Sequence, residues 1–447
     1  MCAIIQKNIF DFFSVIIKAN IEKGESAFAE GLARPGLAQI VMVSKNFATK
    51  TIFDRRESVT VPGYFPIAID IGYSSVNVYS PKLICSFPAF ARKLKKSEEL
   101  LGTPSENEII YRDDVTGEEW RVGEEAQKTV SSFDTNDSVN ELYGRNRYST
   151  PIFKVLLRTA LGLALIEAGG SEDVICVQTG LPPAYLDEDT NDVKAAFSGC
   201  HTFSLKIGNH PYMKVRSLSI DRENVSVMSQ PKGTLISVTV DNNAHPTENA
   251  ALIVNGNAVV FDGGFGTLDL FELKNRMIDG TETFSNYGMK AVFERFCEKI
   301  RRKYGTVLRV PAIQPILQSG KLVIREKIPG QNRYRTNEVE IADILEESSK
   351  EICQEAVDKM MSIYNGLRDD SYLIVTGGTG AAWKDYILEA FADDRSVTVV
   401  LGNANSPDLD IVFANVRGYY MTLINSLKRR AGKTGGKEQS AAAAPNR

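Results

Sequence analysis

Three glycine-rich turns carry the residues whose types and spacing best suit the binding of phosphate and a divalent cation. In the first two turns an acid, Asp70 or Asp262, ends an apolar run and glycine follows within two positions. Glycine lets backbone N–H groups approach an anion closely, and neighbouring hydroxyl groups add donors. A carboxylate beside such a turn suits hydrated Mg²⁺, since this ion keeps several waters and uses few carboxylates. The first, second and third turns are Gly72-Tyr73-Ser74-Ser75, Gly263-Gly264-Phe265-Gly266-Thr267 and Gly377-Gly378-Thr379-Gly380.

Each turn taken alone also fits an ordinary hairpin tip or loop. The third turn stands between an apolar strand and a predicted helix starting near Ala381. There, N–H groups and the helix dipole favour an anion or the close approach of a flat ring. Its glycines lack the spacing of the dinucleotide-binding fingerprint, so a Rossmann domain is not indicated.

The composition argues against several other kinds of chemistry. The 447 residues include only 3 histidines and 6 widely spaced cysteines, which disfavours a histidine base, a multi-histidine metal site and a zinc site built on CxxC pairs. The scattered cysteines fit a reducing compartment. With 52 Lys and Arg against 56 Asp and Glu, the net charge is -4, so nucleic acid or anionic lipid would have to meet a local patch.

Alternating strands and helices position the turns from Phe65 onward. The first and second turns each form the tip of a predicted hairpin, and the third turn follows a predicted buried strand. Because the Asp-x-Gly hairpin occurs twice, we expect two similar halves with a cleft between them. The predicted strands cover 66–72, 76–79, 173–177, 258–271 (as a hairpin) and 372–375, and the predicted helices cover 151–168 and 341–363.

The two ends of the chain differ from the part between them. Residues 1–20 are apolar except for a narrow polar stripe, which predicts an amphipathic helix packed on the body or on a partner; a membrane-surface helix is the alternative. The charges in that stripe argue against a secretory signal and against a membrane-spanning segment. From Lys428 the chain is basic and then alanine-rich, and we expect it to be disordered. Its basic residues fit a solvated charge run or a contact with DNA or an acidic partner.

Taken together and in order, the motifs resemble a known superfamily. The segments 69–77, 261–269 and 374–380 are similar to the phosphate 1, phosphate 2 and adenosine motifs of the actin, Hsp70 and sugar-kinase superfamily. Within it, Thr179-Gly180-Leu181-Pro182-Pro183-Ala184-Tyr185 and Asn415-Val416-Arg417-Gly418-Tyr419-Tyr420 resemble segments of the bacterial actin-like branch typified by ParM. The resemblance covers about residues 65–427.

This resemblance implies an α/β protein with an actin-like bilobal fold, in which two ribonuclease H-like lobes enclose a nucleotide cleft. The domains expected from it are an N-terminal extension at 1–64, lobe I at 65–235 completed by 407–427, lobe II at 236–406 and a tail at 428–447.

The resemblance also implies roles for individual residues. Asp70 matches an acid associated with a metal ion and its waters, and Asp262 matches the second-turn acid that orients metal-bound or attacking water. Gln230 is the candidate for placing the attacking water, since its amide both donates and accepts but is a poor base; a surface glutamine is the alternative. The metal is expected at Asp70 and Asp262. The residues expected around the nucleotide are Gly72, Ser74, Ser75, Asn77, Gly263, Gly264, Gly266, Thr267, Gly377, Gly378 and Gly380.

Asn77 departs from the family pattern. Many relatives have a lysine at this position, so a cation for the terminal phosphate comes from elsewhere or is missing. The rate of hydrolysis and its dependence on metal are therefore left open by the sequence.

The function implied is that of a slow, Mg²⁺-dependent nucleoside triphosphatase, using ATP or GTP, that forms filaments and drives plasmid or DNA segregation. The expected partners are further copies of the chain and a DNA-binding adaptor at a plasmid centromere, in the bacterial cytoplasm, without sequence-specific DNA binding by the body. A non-segregating cytoskeletal scaffold is one alternative. A small-molecule kinase of the same superfamily is another, although the sequence offers no clear acid for activating a substrate hydroxyl.

Overall fold

The computed structural model describes residues 47–95, 103–129, 147–169 and 173–442, with the backbone alone described at 216, 217 and 433–442. The amphipathic helix predicted at the N-terminus lies outside the described residues.

Strands and helices alternate through the described residues, as the sequence predicts from Phe65 onward. The strands are β1 (Ile52–Asp54), β2 (Tyr64–Ile71), β3 (Ser75–Tyr79), β4 (Ile84–Pro88), β5 (Ala91–Lys93), β6 (Ile109–Asp113), β7 (Glu119–Val122), β8 (Val174–Leu181), β9 (Gly199–Ile207), β10 (Met213–Ile220), β11 (Val225–Ser229), β12 (Ala258–Gly263), β13 (Leu268–Lys274), β14 (Met277–Phe284), β15 (Lys321–Lys327), β16 (Tyr334–Glu340), β17 (Tyr372–Thr376) and β18 (Thr398–Leu401). The α-helices are α1 (Glu124–Gln127), α2 (Pro151–Glu167), α3 (Leu186–Phe197), α4 (Gln230–Thr239), α5 (Ala250–Asn255), α6 (Met289–Tyr304), α7 (Ile313–Ser319), α8 (Ala342–Ile363), α9 (Gly377–Ala390) and α10 (Ala414–Ala442).

Two sheets repeat one strand order, and each forms the centre of one half of the molecule. The first half is built on the order β1-β4-β3-β2-β8-β11 and the second half on β14-β13-β12-β17-β18. In both sheets a central strand, β2 or β12, has two successive antiparallel pairings on one side and two parallel strands on the other. The first sheet has one more strand, β1, which pairs antiparallel with β4 at its edge. The two central strands are buried almost throughout because the sheets are covered on both faces, which explains their nearly continuous apolar sequences. The two similar halves predicted from the repeated hairpin are confirmed.

The remaining strands form smaller sheets. An antiparallel sheet in the order β10-β9-β6-β7-β5 adds to the first half, and β15 pairs with β16 in a two-stranded ribbon. Helix α2 lies against the first sheet and this antiparallel sheet, and all its residues from Ile152 to Leu165 except Lys154 are buried. The side chain of Thr150 caps its start by accepting a hydrogen bond from the Phe153 N–H at 3.3 Å. The helix predicted at 151–168 is thereby confirmed.

Helix α10 packs against α4 and across the first sheet. Its Gly418 lies so close to Gly233 that an added Cβ would collide with the carbonyl oxygen of Gly233. The rings of Tyr420 and Tyr79 are 4.5 Å apart between centroids. This close approach of two helices brings the residues at the start of α10 towards the ends of the central strands.

Residues 47–64 belong to the fold, in contrast to the extension predicted for 1–64. Strand β1 pairs with β4 at the edge of the first sheet, and Phe47 is buried among the apolar side chains of the second half. Thr49 links the halves, since its N–H donates to Gln314 at 3.2 Å and its hydroxyl to Gln127 at 3.1 Å. A three-residue strand has too short a pattern to be recognised from sequence, because its pairing with a distant edge decides its conformation.

The tail also differs from expectation, because α10 continues to Ala442 whereas disorder was expected from Lys428. Residues 428–442 contain no proline, and their Ala, Lys, Arg, Glu and Gln residues favour helix, although Gly432, Gly435 and Gly436 do not. Lys428 donates to the Asn243 carbonyl at 2.9 Å and Arg430 to the side chain of Asn224 at 3.2 Å, so the first basic residues contact the body. None of the helices in the described ranges is long and apolar enough to cross a bilayer.

Candidate functional site

The first turn is a tight reversal at the tip of the β2–β3 hairpin. Gly72 N–H donates to Ser75 O at 2.9 Å, and Ser74 O accepts from the Ala89 N–H at 2.8 Å. These two backbone bonds fix the turn and leave the serine side chains half-buried at its rim. Asp70 precedes the turn on β2 and is 7% exposed.

Gln230 lies beside Asp70, which the sequence alone could not establish. Strand β11 runs parallel to β8, and α4 begins directly after it. Gln230, the first residue of α4, therefore lies at the end of the sheet where β2 and β8 also end. The side-chain amide then donates to Asp70 Oδ1 at 3.1 Å. Gln230 is thus held at the first turn rather than on a remote surface loop.

Asp262 occupies the corresponding place at the end of β12, where it is 4% exposed. Asn415, at the start of α10, donates its amide to Asp262 Oδ2 at 2.7 Å. The side-chain oxygen Oδ1 of Asn415 accepts in turn from the Thr234 hydroxyl at 2.5 Å. Helices α4 and α10 therefore hold the second acid from the side of the first half.

Asp269 is a third buried acid, for which the sequence motifs predict no role. It lies opposite Asp262 in the β12–β13 pairing and accepts from the hydroxyls of Thr267 at 3.1 Å and Thr283 at 2.6 Å. Thr267, expected near phosphate, is therefore buried with its hydroxyl turned to Asp269. The sequence holds a signal for Asp269, since it stands on the strand after the second turn and pairs with Asp262 in the register that this hairpin adopts.

The third turn packs directly on the second. The glycines expected to precede a helix form its first turn instead, since α9 starts at Gly377. Gly377 has φ +81°, and an added Cβ would lie 2.5 Å from Asp262 Oδ1. A Cβ on Gly263 would lie 2.7 Å from the Gly380 N–H nitrogen. Only glycine permits both the backbone conformation and these approaches, so the third turn is kept within contact distance of the second acid.

The three acids influence one another because they are buried together. The pKa of Asp262 is raised to about 8, chiefly by burial and also by the negative charge of Asp269, while the hydrogen bond from Asn415 opposes this shift. Burial likewise raises the pKa of Asp70 and of Asp269 to about 6 each, and the charge of Asp70 contributes to both of the other shifts. A cation bound among them would favour their ionised forms.

The carboxylates fit a hydrated divalent cation. Asp70 and Asp262 each use one oxygen to accept an amide hydrogen bond and keep the second oxygen for other partners. Within the described residues no group of three or more His, Cys, Asp or Glu is arranged to hold a metal ion by itself. Mg²⁺ needs no such group when water and phosphate oxygens complete its shell.

A cavity of about 30 Å³ separates the first and second turns. Tyr73 and Ser74 line it from the first turn and Phe265 from the second, while Gln127 and Gln314 line it from the two halves. Asn77 is buried behind the first turn, opposite Asp70 on β3, and its Oδ1 has no partner among the described residues. Residues of the first and second turns therefore lie on opposite sides of this cavity.

Comparison with known proteins gives a consistent result. Residues 68–233 match the family model described as actin-like proteins N-terminal domain, whereas no curated protein sequence matches significantly. Among solved structures, a pCBH ParM non-polymerisable quadruple mutant is 19% identical with a TM-score of 0.59, covering 80% of this chain and 98% of that one.

Two further structures show the same similarity. A 15-stranded ParM filament from Clostridium botulinum is 18% identical with a TM-score of 0.58, over 80% of this chain and 99% of that one. Ta0583, an archaeal actin homolog in complex with ADP, is 17% identical with a TM-score of 0.53, over 82% of this chain and 99% of that one. The predicted fold class and the predicted similarity to ParM are confirmed: the chain has the actin-like fold, and its residues 68–233 match the model of the actin-like proteins N-terminal domain.

Proposed function

We propose that the chain binds ATP or GTP together with Mg²⁺ between its two halves and hydrolyses the nucleotide slowly. One observation carries this proposal: two glycine turns, each with a buried acid, face each other, and a third glycine turn packs on the second. Glycine turns offer N–H donors to phosphate, and the acids suit the cation that accompanies it.

Under this proposal each acid and the glutamine have distinct tasks. Asp70 and Asp262 hold the hydrated cation, whose chemistry is to neutralise phosphate charge. Gln230 positions the attacking water, since an amide that already donates to Asp70 has a carbonyl oxygen left to accept from water. The nucleotide lies against the glycines of the three turns, with Ser74 and Ser75 as hydroxyl donors.

We further propose that the protein assembles into filaments whose stability follows the nucleotide state, and that these filaments move plasmids or other DNA in a bacterial cytoplasm. The structural similarity to a ParM filament supports assembly. The net charge of -4 supports contact with DNA through an adaptor. In this scheme lobe I comprises residues 65–235 with 407–427, lobe II comprises 236–406, and the triphosphate stabilises one relative position of the lobes.

Equilibrium binding of fluorescent ATP and GTP analogues, with Mg²⁺ or with excess EDTA, tests the nucleotide part of the proposal. We expect saturable binding of at least one triphosphate that weakens when Mg²⁺ is removed, and slow phosphate release from the same sample. If neither nucleotide binds with Mg²⁺, the proposal is wrong.

A further inference from the structure

Arg147 is a buried arginine that the nucleotide-binding scheme above does not use. It is 5% exposed, and its Nη1 has no hydrogen-bond partner among the described residues. Leaving a charged donor buried and unpaired is costly, so such a group calls for an explanation.

The guanidinium of Arg147 lies at the first turn. Arg147 belongs to a 3-10 helix, Arg147–Ser149, just before α2. Its Nη2 donates to the carbonyl oxygen of Ile71 at 2.8 Å, one residue beyond Asp70 and one before Gly72. Its positive charge lowers the pKa of Asp70 against the larger effect of burial. Arg147 is therefore a positive charge built into the turn that carries the first acid.

Tyr73 connects this guanidinium to the second turn. The Arg147 Cζ lies 4.4 Å from the centre of the Tyr73 ring, a distance at which the cation and the ring attract each other. A Cβ added to Gly266 would lie 2.9 Å from the same ring. The ring thus touches both turns and covers the guanidinium where the two turns meet.

Other buried arginines show what a purely structural arginine looks like here. Arg158, 7% exposed in α2, donates to Asp113 and to Tyr111, each at 2.9 Å. Arg417 donates through both Nη1 and Nη2 to backbone carbonyls at 2.7 and 3.1 Å. Arg147 differs because its Nη1 is buried without a hydrogen-bond partner among the described residues, whereas neither Arg158 nor Arg417 has such a buried, unpartnered nitrogen.

We propose that Arg147 is the positively charged phosphate-binding residue of the site, with Nη1 donating to a phosphate oxygen of the bound triphosphate. A triphosphate brings about four negative charges next to three buried acids, which one divalent cation does not balance. A guanidinium fixed by Ile71 and Tyr73 supplies a charge and donors without having to be reorganised. This inference rests on the proposed nucleotide binding and adds the residue that recognises the phosphate chain.

Two variants of Arg147 and matched variants of Arg158 test the inference. Arg147→Met removes the charge while keeping much of the side-chain shape, and Arg147→Lys keeps the charge but loses the fork of donors. Arg158→Met and Arg158→Lys make the same changes at a buried arginine away from the turns. For each protein, the affinities for Mg²⁺-ATP, Mg²⁺-GTP, the diphosphates and the nucleosides are measured alongside thermal unfolding without nucleotide.

We expect Arg147→Met to bind the triphosphate about 10- to 100-fold more weakly than the wild-type protein. Its affinity for the diphosphate should fall less, and its affinity for the nucleoside should not change. Arg147→Lys should lose about 3- to 10-fold for the triphosphate, and it decides the question if the Met variant does not fold. Both Arg158 variants should unfold at lower temperature with unchanged triphosphate-to-nucleoside affinity ratios. Unchanged triphosphate binding by the Arg147 variants, or equal losses for triphosphate and nucleoside, would overturn the inference. Absence of binding by the wild-type protein would overturn the proposed function as well, so the two failures are distinguishable.

Discussion

Asp262 is the residue on which the proposed chemistry depends most directly. Its carboxylate is buried, held by Asn415 and placed between the second and third turns. Replacing it with Asn keeps the shape and removes the charge, so Asp262→Asn should lower phosphate release by at least about 100-fold.

The control for this variant is Asp279→Asn, on the exposed strand β14, which should leave the rate unchanged. Phosphate release is measured at saturating nucleotide and Mg²⁺, with circular dichroism to verify folding. A folded Asp262→Asn protein with the wild-type rate would remove Asp262 from the site.

The same carboxylate predicts how stability varies with pH when nucleotide and metal are absent. Burial raises the pKa of Asp262 to about 8 in the folded protein, while a free aspartate titrates near pH 4. Between these values the folded state binds the extra proton, so its free energy of unfolding falls as pH rises, by up to about 1.4 kcal/mol per pH unit.

Urea unfolding at pH 6, 7 and 8 measures this dependence. Asp262→Asn removes the titrating group, so the difference in stability between wild type and variant should shift in favour of the variant as pH rises. A difference that is constant across these pH values would show that Asp262 does not retain its proton in the folded protein.

Gln230 should affect the reaction more than the binding. Because its amide reaches Asp70 from the start of α4, Gln230→Ala should slow phosphate release by about 10- to 100-fold while changing nucleotide affinity by less than about 3-fold. Gln354→Ala, at an exposed position of α8, is the matched control and should change neither. An equal loss of affinity and rate would mean that Gln230 holds the nucleotide or the turn rather than the water.

Among individual residues, the sequence points to groups that lie within the turns and, through the family resemblance, to Gln230, but it indicates no role for Asn415 or Arg147. Asp70, Asp262 and the turn glycines stand in continuous motifs. Asn415 and Arg147 reach the turns through a helix crossing and a 3-10 helix, which no local pattern encodes. Asp269 stands across the second hairpin from Asp262, which the motif indicates. Its burial and its hydrogen bonds from two threonine hydroxyls depend on how the sheet packs, which the motif does not indicate.

At the scale of elements, the crossing of α4 and α10 makes a specific prediction about glycine. An alanine at Gly418 would collide with the carbonyl oxygen of Gly233, so Gly418→Ala should destabilise the protein by about 3 kcal/mol or more. Gly432 lies on the same helix with nothing within 4 Å of an added Cβ. Gly432→Ala should therefore be neutral or stabilising by up to about 1 kcal/mol.

Denaturant unfolding of the two variants in parallel checks this prediction. Loss of stability at Gly418 alone supports the close helix crossing that carries Asn415 to Asp262. Equal stability of both variants would contradict that crossing.

Elements with strong local signals are those that the sequence predicts well. The capped helix α2 and the two Asp-x-Gly hairpins are examples. Strand β1 and the antiparallel sheet of β5–β7, β9 and β10 depend on partners distant in the chain, so short local patterns do not specify them. The glycines of the third turn predict a loop, yet they form the start of α9. They are glycines because the second turn lies too close to leave room for a side chain at Gly377.

At the scale of the whole molecule, the repeated strand order places two equivalent turns on facing halves. Thr49, Gln127 and Gln314 connect the halves next to the cavity between those turns. A ligand that binds both turns is therefore in a position to set how the halves lie relative to each other, which is the link from nucleotide state to assembly that the proposed function requires.

Sedimentation of the purified protein tests whether the nucleotide state controls assembly. Samples with Mg²⁺ and ATP, GTP, ADP, GDP or no nucleotide are centrifuged at several protein concentrations, with Asp262→Asn in parallel. We expect a pellet that requires Mg²⁺ and a triphosphate, that diminishes as phosphate is released, and that persists with Asp262→Asn. The absence of a nucleotide-dependent pellet under all of these conditions would show that bound nucleotide does not control assembly of this protein.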